Sequence, residues 1–406
     1  MTPDPQMAGD LEAAVRDLGA RLAGAFAPLV EAAGGPERGT QHFAERFGVD
    51  KVLASRLLKA LRAGDDVARL HFMPGPEPLR RVVRGVRRRL DLPGEVLDEA
   101  GETIDAFETF LADAIGDRSA LTTLLAAWSP EVRAEFEVRR KQAAWRALSE
   151  LRGASVDLAV SAVVFEPAKE PDRLDVTWVL GLIGLRRLRP GVTIQATTRR
   201  VAPESAERMP IGLDGAPLDG LEDGRLDAFC TSPPGRFEAH RTGDLLRYTL
   251  ADEGYGPDAE VDLLVAEVNE GEMRASVPRG SGRRGWVYAD TPVPARKLVL
   301  DVFVHEDVYP GSDPELLLYD TALQGVADVN DPSRDMDRLD LVEEVCPMGR
   351  GIDGLALREF EPYGRLLAHV FDSRALERDR FRAYRVAIDH PLHGMQVAVA
   401  FEPPEN

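Results

Sequence analysis

The feature that most constrains the fold is a change in the spacing of apolar residues near residue 153. Upstream, apolar side chains recur every three to four residues, as at Leu11, Val15, Leu18, Leu22 and Phe26. That period is typical of amphipathic helices, whereas the β-branched and alternating runs that follow residue 153 are typical of strands. We predict an α+β chain with an all-helical domain over residues 1–153 and a mainly antiparallel β domain with a few helices over 154–406.

The strands are predicted from apolar runs between stretches rich in turn-forming residues. They cover residues 156–165, 174–185, 193–198, 245–250, 261–268, 298–305, 380–389 and 396–402. A helix near residues 362–371 precedes the last pair of strands, which residues 390–394 would join as a hairpin.

Length and composition favour a two-domain globular protein. A chain of 406 residues exceeds the usual size of a single hydrophobic core, and its 44% hydrophobic content is ordinary. The first residues lack the basic and apolar regions of a secretory signal, and no apolar run approaches the length of a membrane span. Cys230 and Cys346 are too few for a disulfide framework. We therefore expect a cytoplasmic protein with reduced thiols and no membrane partner.

Charge is distributed unevenly along the chain. The net charge is −19, yet residues 1–153 hold 22 Lys and Arg against 24 Asp and Glu, and residues 154–406 hold 28 against 45. Residues 51–89 contain eleven basic and three acidic residues, a local net charge of +8. Because salt screens charges beyond about 8–10 Å, such a stretch can attract a polyanion although the whole chain is acidic.

Residues 40–63 predict two short helices joined by a tight turn. Thr40 is expected to cap a helix ending near Phe47, and Asp50 to cap a second helix that runs to Ala63. Gly48 stands where the turn requires a positive φ, which glycine adopts at little cost. The small Ala44 and Ala54, with Leu57, would let the helices pack closely.

This segment resembles helix-turn-helix transcriptional regulators, particularly the DNA-reading part of the lactose-repressor kind. The likeness lies in Ala44, Gly48-Val49, the capping Asp50 and Ala54-Ser55-Arg56-Leu57. It implies that the second helix enters the major groove of duplex DNA. The DNA-facing residues would then be Lys51, Val52, Ser55, Arg56 and Lys59, with Thr40 and neighbouring amides holding a phosphate.

A basic helix over residues 78–90 extends the predicted DNA surface. Its outer side offers Arg80, Arg84, Arg87 and Arg88, which would grip the phosphate backbone without sequence preference. A solvated charged face is the commoner explanation for such a run of basic residues.

Other motifs carry less chemistry. The glycine spacing of residues 280–285 matches a dinucleotide fingerprint, but a strand and not a helix follows it, so we predict a hairpin loop. His390 and His393 form at best a partial metal site and are expected to be exposed turn residues. We predict no catalytic residues, no metal and no cofactor.

The sequence thus favours a non-enzymatic, DNA-binding transcriptional regulator whose acidic β domain senses a small-molecule effector or mediates association. Helices between residues 96 and 151 would form the seam of a homodimer. Two alternatives remain open: an interaction or scaffold protein that docks a partner through the helix pair, and an enzyme with its site in the β domain.

Overall fold

The computed structural model describes residues 5–35, 37–200, 210–231, 236–242, 245–251 and 254–406. The chain forms two compact units, Met1–Glu137 and Val138–Asn406. The first is helical and the second is mainly antiparallel sheet, which confirms the predicted α+β class and order of elements. The division between the units falls within a long helix, whereas the sequence placed it at that helix's end. We refer to the units as the helical unit and the β-rich unit.

The helices pack around one apolar core in the helical unit. Their bounds are α1 (Pro5–Ala32), α2 (Thr40–Phe47), α3 (Lys51–Arg62), α4 (Asp66–Phe72), α5 (Pro76–Arg89), α6 (Gly94–Phe110), α7 (Arg118–Leu125) and α8 (Pro130–Arg152). The fully buried Phe26, Phe43, Phe47 and Phe107 contribute to this core. No helix in the described part of the chain is long and apolar enough to cross a bilayer.

The turn between α2 and α3 has the predicted geometry. Gly48 has φ of 67° and its N–H donates to the Ala44 carbonyl, while the Asp50 carboxylate accepts the Leu53 N–H at 2.8 Å. The expected cap at Thr40 is wrong. Gly39 is the residue that precedes the helix, and Thr40 already has helical geometry, so its hydroxyl caps nothing there.

The β-rich unit contains three sheets within the described residues. The strands are β1 (Ala154–Ser155), β2 (Leu158–Pro167), β3 (Arg173–Arg187), β4 (Gln195–Arg200), β5 (Phe237–Thr242), β6 (Leu245–Leu250), β7 (Val261–Arg274), β8 (Gly285–Asp290), β9 (Lys297–His305), β10 (Glu315–Asp320), β11 (Val345–Arg350), β12 (Phe381–Asp389) and β13 (Met395–Phe401). The main sheet has the order β1-β3-β2-β9-β12-β11, with β7 paired to β3. The smaller sheets are β10-β13-β8 and β4-β6-β5. Pairing is antiparallel except between β2 and β9.

Alternation along the central strands gives the main sheet two buried faces. Val299 and Phe303 of β9 pack toward the last helix, α9 (Tyr363–Ser373). Leu300 and Val302 of the same strand point the other way, toward the sheet β10-β13-β8. Strand residues two apart share a face, so a strand buried on both sides reads as a nearly continuous apolar run.

One buried ion pair lies within the main sheet. Both oxygens of the Asp301 carboxylate, on β9, accept hydrogen bonds from the guanidinium of Arg385, on β12, at 2.7 Å. The Tyr363 hydroxyl of α9 donates to the same carboxylate. Asp301 is only 1% exposed, so these hydrogen bonds replace the water that the charge would otherwise need.

Candidate functional site

The predicted DNA-facing side chains lie on the outside of α3. Lys51, Val52, Ser55, Arg56 and Lys59 are all exposed, and Val52 is 70% exposed. Thr40 is partly buried at the start of α2. The face is therefore accessible to a ligand. Whether it attracts a polyanion depends on the charges of the side chains around its cations.

Acidic side chains from other helices neutralise much of the basic stretch. Lys59 pairs with Glu135 at 2.6 Å and also lies 3.6 Å from the centre of the Phe72 ring. The ion pairs of α5 include Arg80 with Asp105 and Glu108, Arg81 with Asp50, Arg84 with Glu77, and Arg87 with Asp98. Arg88 is exposed and has no ion pair in the described part of the chain. The net charge of +8 over residues 51–89 is thus partly neutralised in the folded structure by carboxylates. Some of these carboxylates lie within that stretch and others lie outside it.

A second basic surface lies in the β-rich unit, where sequence analysis placed no site residue. A cleft of about 760 Å³ opens beside the small sheet β4-β6-β5. Its lining residues are Arg152, Ala154, Arg189, Gly191, Val192, Thr193, Ile194, Gln195, His240, Arg247, Thr249, Pro292, Val293 and Pro294. We call it the basic cleft.

The ionisable residues that line the basic cleft are all basic. They are Arg152, Arg189, His240 and Arg247, and none of the lining residues is Asp or Glu. Residues 154–406 nevertheless contain 45 acidic against 28 basic residues. Cations gathered in one concave site of an otherwise acidic unit create a local field that attracts anions.

The floor of the basic cleft is apolar. Ile194 and Val293 are 2% and 3% exposed, and both belong to a small core that also contains Leu185 and Leu250. This core seats the sheet β4-β6-β5 against the segment that follows β8. A ligand in the cleft would therefore meet apolar atoms below and cations at the sides, the usual composition of a small-molecule site.

A buried arginine holds one wall of the basic cleft in place. Arg187 is 5% exposed, and its guanidinium donates to the carbonyls of Val192, Gly254 and Leu250 at 2.6, 2.9 and 3.4 Å. These bonds tie the loop after β3 to the end of β6. Arg187 thereby fixes the backbone that carries Thr193, without lining the cleft itself.

Another arginine is anchored at the edge of the basic cleft. One Arg189 nitrogen donates to the Leu151 carbonyl at 2.9 Å. Gly153 has φ of 70°, and a Cβ there would lie 2.7 Å from Arg189 Nε and from Val192 Cγ2, so only glycine fits. Arg152 and Arg247, by contrast, are exposed and have no ion pair among the described residues. Both are available to an anion.

His240 is positioned by its neighbours on the small sheet. Its Nε2 lies 3.2 Å from the Thr249 hydroxyl and 3.7 Å from a Glu238 carboxylate oxygen. The ring thus stands against the wall that Thr249 forms. Through its ring nitrogens it can add a hydrogen bond to those of the arginines.

The hairpin turn between β12 and β13 differs from its prediction. His390 and His393 are partly buried and not exposed, because the turn packs against the end of α8. The His390 ring lies 5.1 Å from the Trp145 ring, centre to centre. The part of the chain that the structure describes contains no cluster of three or more His, Cys, Asp or Glu able to hold a metal.

Because the turn histidines are partly buried, the free energy of unfolding is expected to depend on pH. Burial, aided by the charge of Arg152, lowers the pKa of His393 below its ordinary value, although a hydrogen bond with the Thr291 backbone opposes this. The unfolded chain then binds more protons than the folded chain below about pH 6.5. We predict that stability falls as the pH drops from 7 to 5, and falls less in His393→Gln. The difference should stay below about 1.4 kcal/mol per pH unit, the limit for one proton.

Urea unfolding at pH 7, 6 and 5 checks this prediction. The variant and the wild type should differ most at pH 5 and least at pH 7. His240→Gln is the matched control, because His240 is exposed. Identical slopes for His393→Gln and the wild type would contradict the burial of this histidine.

Comparisons with known proteins give matches among solved structures. No family model matches the sequence, and no curated protein matches it. Solved structures of M1 zinc metallopeptidases from Deinococcus radiodurans match with a TM-score of 0.23, 10% identity, and coverage of 61% of this chain and 42% of the peptidase. A two-domain M1 zinc metallopeptidase bound to L-tryptophan matches with a TM-score of 0.24, 10% identity, and coverage of 61% and 43%. The match thus spans less than half of each peptidase, and these scores transfer neither a fold nor a zinc site.

The prediction of a DNA-binding transcriptional regulator is wrong. Of the cations on which the prediction relied, Lys59, Arg80, Arg84 and Arg87 are paired with carboxylates. Counting charges along residues 51–89 missed Asp98, Asp105, Glu108 and Glu135, which other helices bring to that surface. The homodimer and the small-molecule effector stay predictions.

Proposed function

We propose that the protein binds a small organic phosphate in the basic cleft of its β-rich unit. The observation that carries the proposal is that Arg152, Arg189, Arg247 and His240 converge on one cleft whose lining contains no carboxylate. The proposal places the site in the domain where the sequence analysis expected an effector or, alternatively, an active site.

The number and origin of the cations favour phosphate over a single carboxylate. Arg152 ends α8, Arg189 follows β3, and Arg247 lies on β6, so three separate elements direct positive charge to one place. A phosphate monoester is close to a dianion at pH 7 and accepts hydrogen bonds from several directions. Arginine is well suited to it, because its planar guanidinium donates two parallel hydrogen bonds.

The volume and the floor of the cleft favour an organic phosphate over the inorganic ion. About 760 Å³ is within the range of small-molecule sites and far larger than a phosphate ion needs. The apolar side chains of Val192, Ile194 and Val293 offer a surface for the carbon skeleton. The ligand is thus expected to combine a phosphate with an apolar or partly polar body.

Calorimetric titration with propyl phosphate tests this function. We expect a dissociation constant of about 1 mM or lower, which corresponds to about −4 kcal/mol and is within reach of a ligand of this size. 1-Propanol has the same carbon chain without the charge and should not bind measurably. Affinity should fall as sodium chloride is raised, because the interaction is ionic.

Two outcomes would overturn the proposal. One is the absence of heat from propyl phosphate at 10 times that expected constant, on the order of 10 mM. The other is equal binding of propyl phosphate and 1-propanol, which would show that apolar surface alone holds the ligand.

A further inference from the structure

A second group of polar side chains lies next to the basic cleft, between α8 and the β12–β13 turn. Trp145, Ser149 and Arg152 are spaced by four and three residues, so they share one face of α8. The His390 ring lies 5.1 Å from the Trp145 ring, and His393 belongs to the same turn between β12 and β13. Ser149 lies between Trp145 and Arg152 along α8.

Four buried polar atoms in this group have no hydrogen-bond partner among the described residues. They are Trp145 Nε1, Ser149 Oγ, His390 Nδ1 and His393 Nδ1. Ser149 is only 5% exposed. Buried polar atoms are nearly always paired in folded proteins, so several unpaired ones in a single place require an explanation. A ligand group that completes their hydrogen bonds supplies one.

The group is continuous with the basic cleft. Arg152, at the end of α8, lines the cleft. The hydroxyl of Thr291, which directly precedes the cleft residue Pro292, donates to the Leu392 carbonyl at 2.7 Å and accepts from the Gly394 N–H at 3.1 Å, so it holds the turn on both sides of His393. Ser149 precedes Arg152 by three residues on the same face of α8, so it lies about one helical turn from this cleft residue.

The chemistry of the group is neutral and includes both donors and acceptors. An indole N–H only donates, and a serine hydroxyl donates and accepts. Burial keeps His393 uncharged at neutral pH by lowering its pKa. Its Nδ1 has no hydrogen-bond partner among the described residues, so this nitrogen can accept or donate one hydrogen bond according to the tautomer. A charged ligand group suits such a set poorly, whereas an alcohol matches it, because it donates one hydrogen bond and accepts others.

We propose that Trp145, Ser149 and His393 form an inner subsite that binds a hydroxyl group of the organic phosphate held in the basic cleft. The ligand class is therefore a hydroxylated organic phosphate, such as a polyol or sugar phosphate. This inference rests on the proposed function, since the arginines hold the phosphate.

The test compares glycerol 3-phosphate with propyl phosphate by calorimetric titration of the full chain. The two probes share a three-carbon chain and a phosphate and differ in their hydroxyl groups. In the wild type, glycerol 3-phosphate should bind about tenfold more tightly, the effect of one or two net hydrogen bonds. In Ser149→Ala and in Trp145→Phe this preference should shrink to about threefold or less, while the affinity for propyl phosphate stays unchanged.

A second readout separates a ligand subsite from a structural role. Ser149→Ala removes a buried hydroxyl that has no partner, so its thermal unfolding midpoint should equal or exceed that of the wild type without ligand. A lowered midpoint would show that Ser149 supports the fold and would overturn the subsite. Equal affinities for the two probes in the wild type would also overturn it, and would leave phosphate binding intact. Failure of both probes to bind would instead overturn the proposed function.

Discussion

Replacing Asp301 with Leu is expected to lower the free energy of unfolding of the β-rich unit by about 3–5 kcal/mol. The substitution leaves the guanidinium of Arg385, on β12, without the carboxylate that accepts two of its hydrogen bonds. It also removes the acceptor of the buried Tyr363 hydroxyl. Burial and the adjacent carboxylate raise the pKa of Tyr363 well above its ordinary value, so this hydroxyl stays a donor that needs an acceptor. Urea unfolding followed by tryptophan fluorescence measures the loss.

Two further variants separate the contribution of the ion pair to stability from the contributions of the individual side chains. Tyr363→Phe should cost about 1.5–3 kcal/mol, because a single hydrogen bond to a charged group is lost. Asp301→Leu combined with Arg385→Met and Tyr363→Phe should recover most of the stability, since apolar side chains of similar volume then replace the desolvated ion pair and no buried hydroxyl is left without an acceptor. A triple variant as unstable as Asp301→Leu would show that the ion pair itself stabilises the sheet.

Reversing two charges in the basic cleft is expected to weaken propyl phosphate binding by at least about 100-fold. Arg152→Glu and Arg247→Glu each remove a charged hydrogen bond, which contributes about 1.5–3 kcal/mol, and each adds repulsion to the phosphate. Both residues are exposed and have no ion pair in the described part of the chain, so the fold should tolerate the changes. Calorimetric titration gives the affinity, and circular dichroism verifies folding.

The matched control reverses two exposed arginines of the same unit that lie away from the cleft. Arg283 precedes β8 and Arg365 lies on α9, and neither lines the cleft. Arg283→Glu with Arg365→Glu changes the net charge equally, so any loss of affinity common to both double variants comes from long-range charge. Equal losses would show that the cleft has no specific role.

Most of the fold could be predicted because the period of apolar residues reports burial. The strands of the main sheet are long and apolar, and β3, β9, β12 and β13 were predicted within two residues of their observed ends. Strands such as β5 and β11 were missed. Phe237–Thr242 is mostly polar, Val345–Arg350 contains a proline and a glycine, and both are largely exposed along the part described, so neither has the apolar pattern of a buried strand. Pairing with a neighbouring strand, which is not local in sequence, fixes their conformation.

The candidate site could not be predicted, because its residues are distant in sequence. Arg152, Arg189 and Arg247 share no motif, and only the pairing of β4 and β6 with the packing around Val293 brings their segments together. One local signal existed: Arg187, in a sequence otherwise typical of a buried strand, indicates a charge with a structural task. At α3 and α5 the sequence predicted a surface that was too positive. The basic residues of these helices were counted without the carboxylates that other helices bring beside them.

A crystal structure grown with propyl phosphate at a saturating concentration tests the central claim most directly. We expect density for the phosphate within hydrogen-bonding distance of Arg152 and Arg247, with the propyl chain on Ile194 and Val293. Phosphate density elsewhere on the protein, with this cleft holding only solvent, would contradict it.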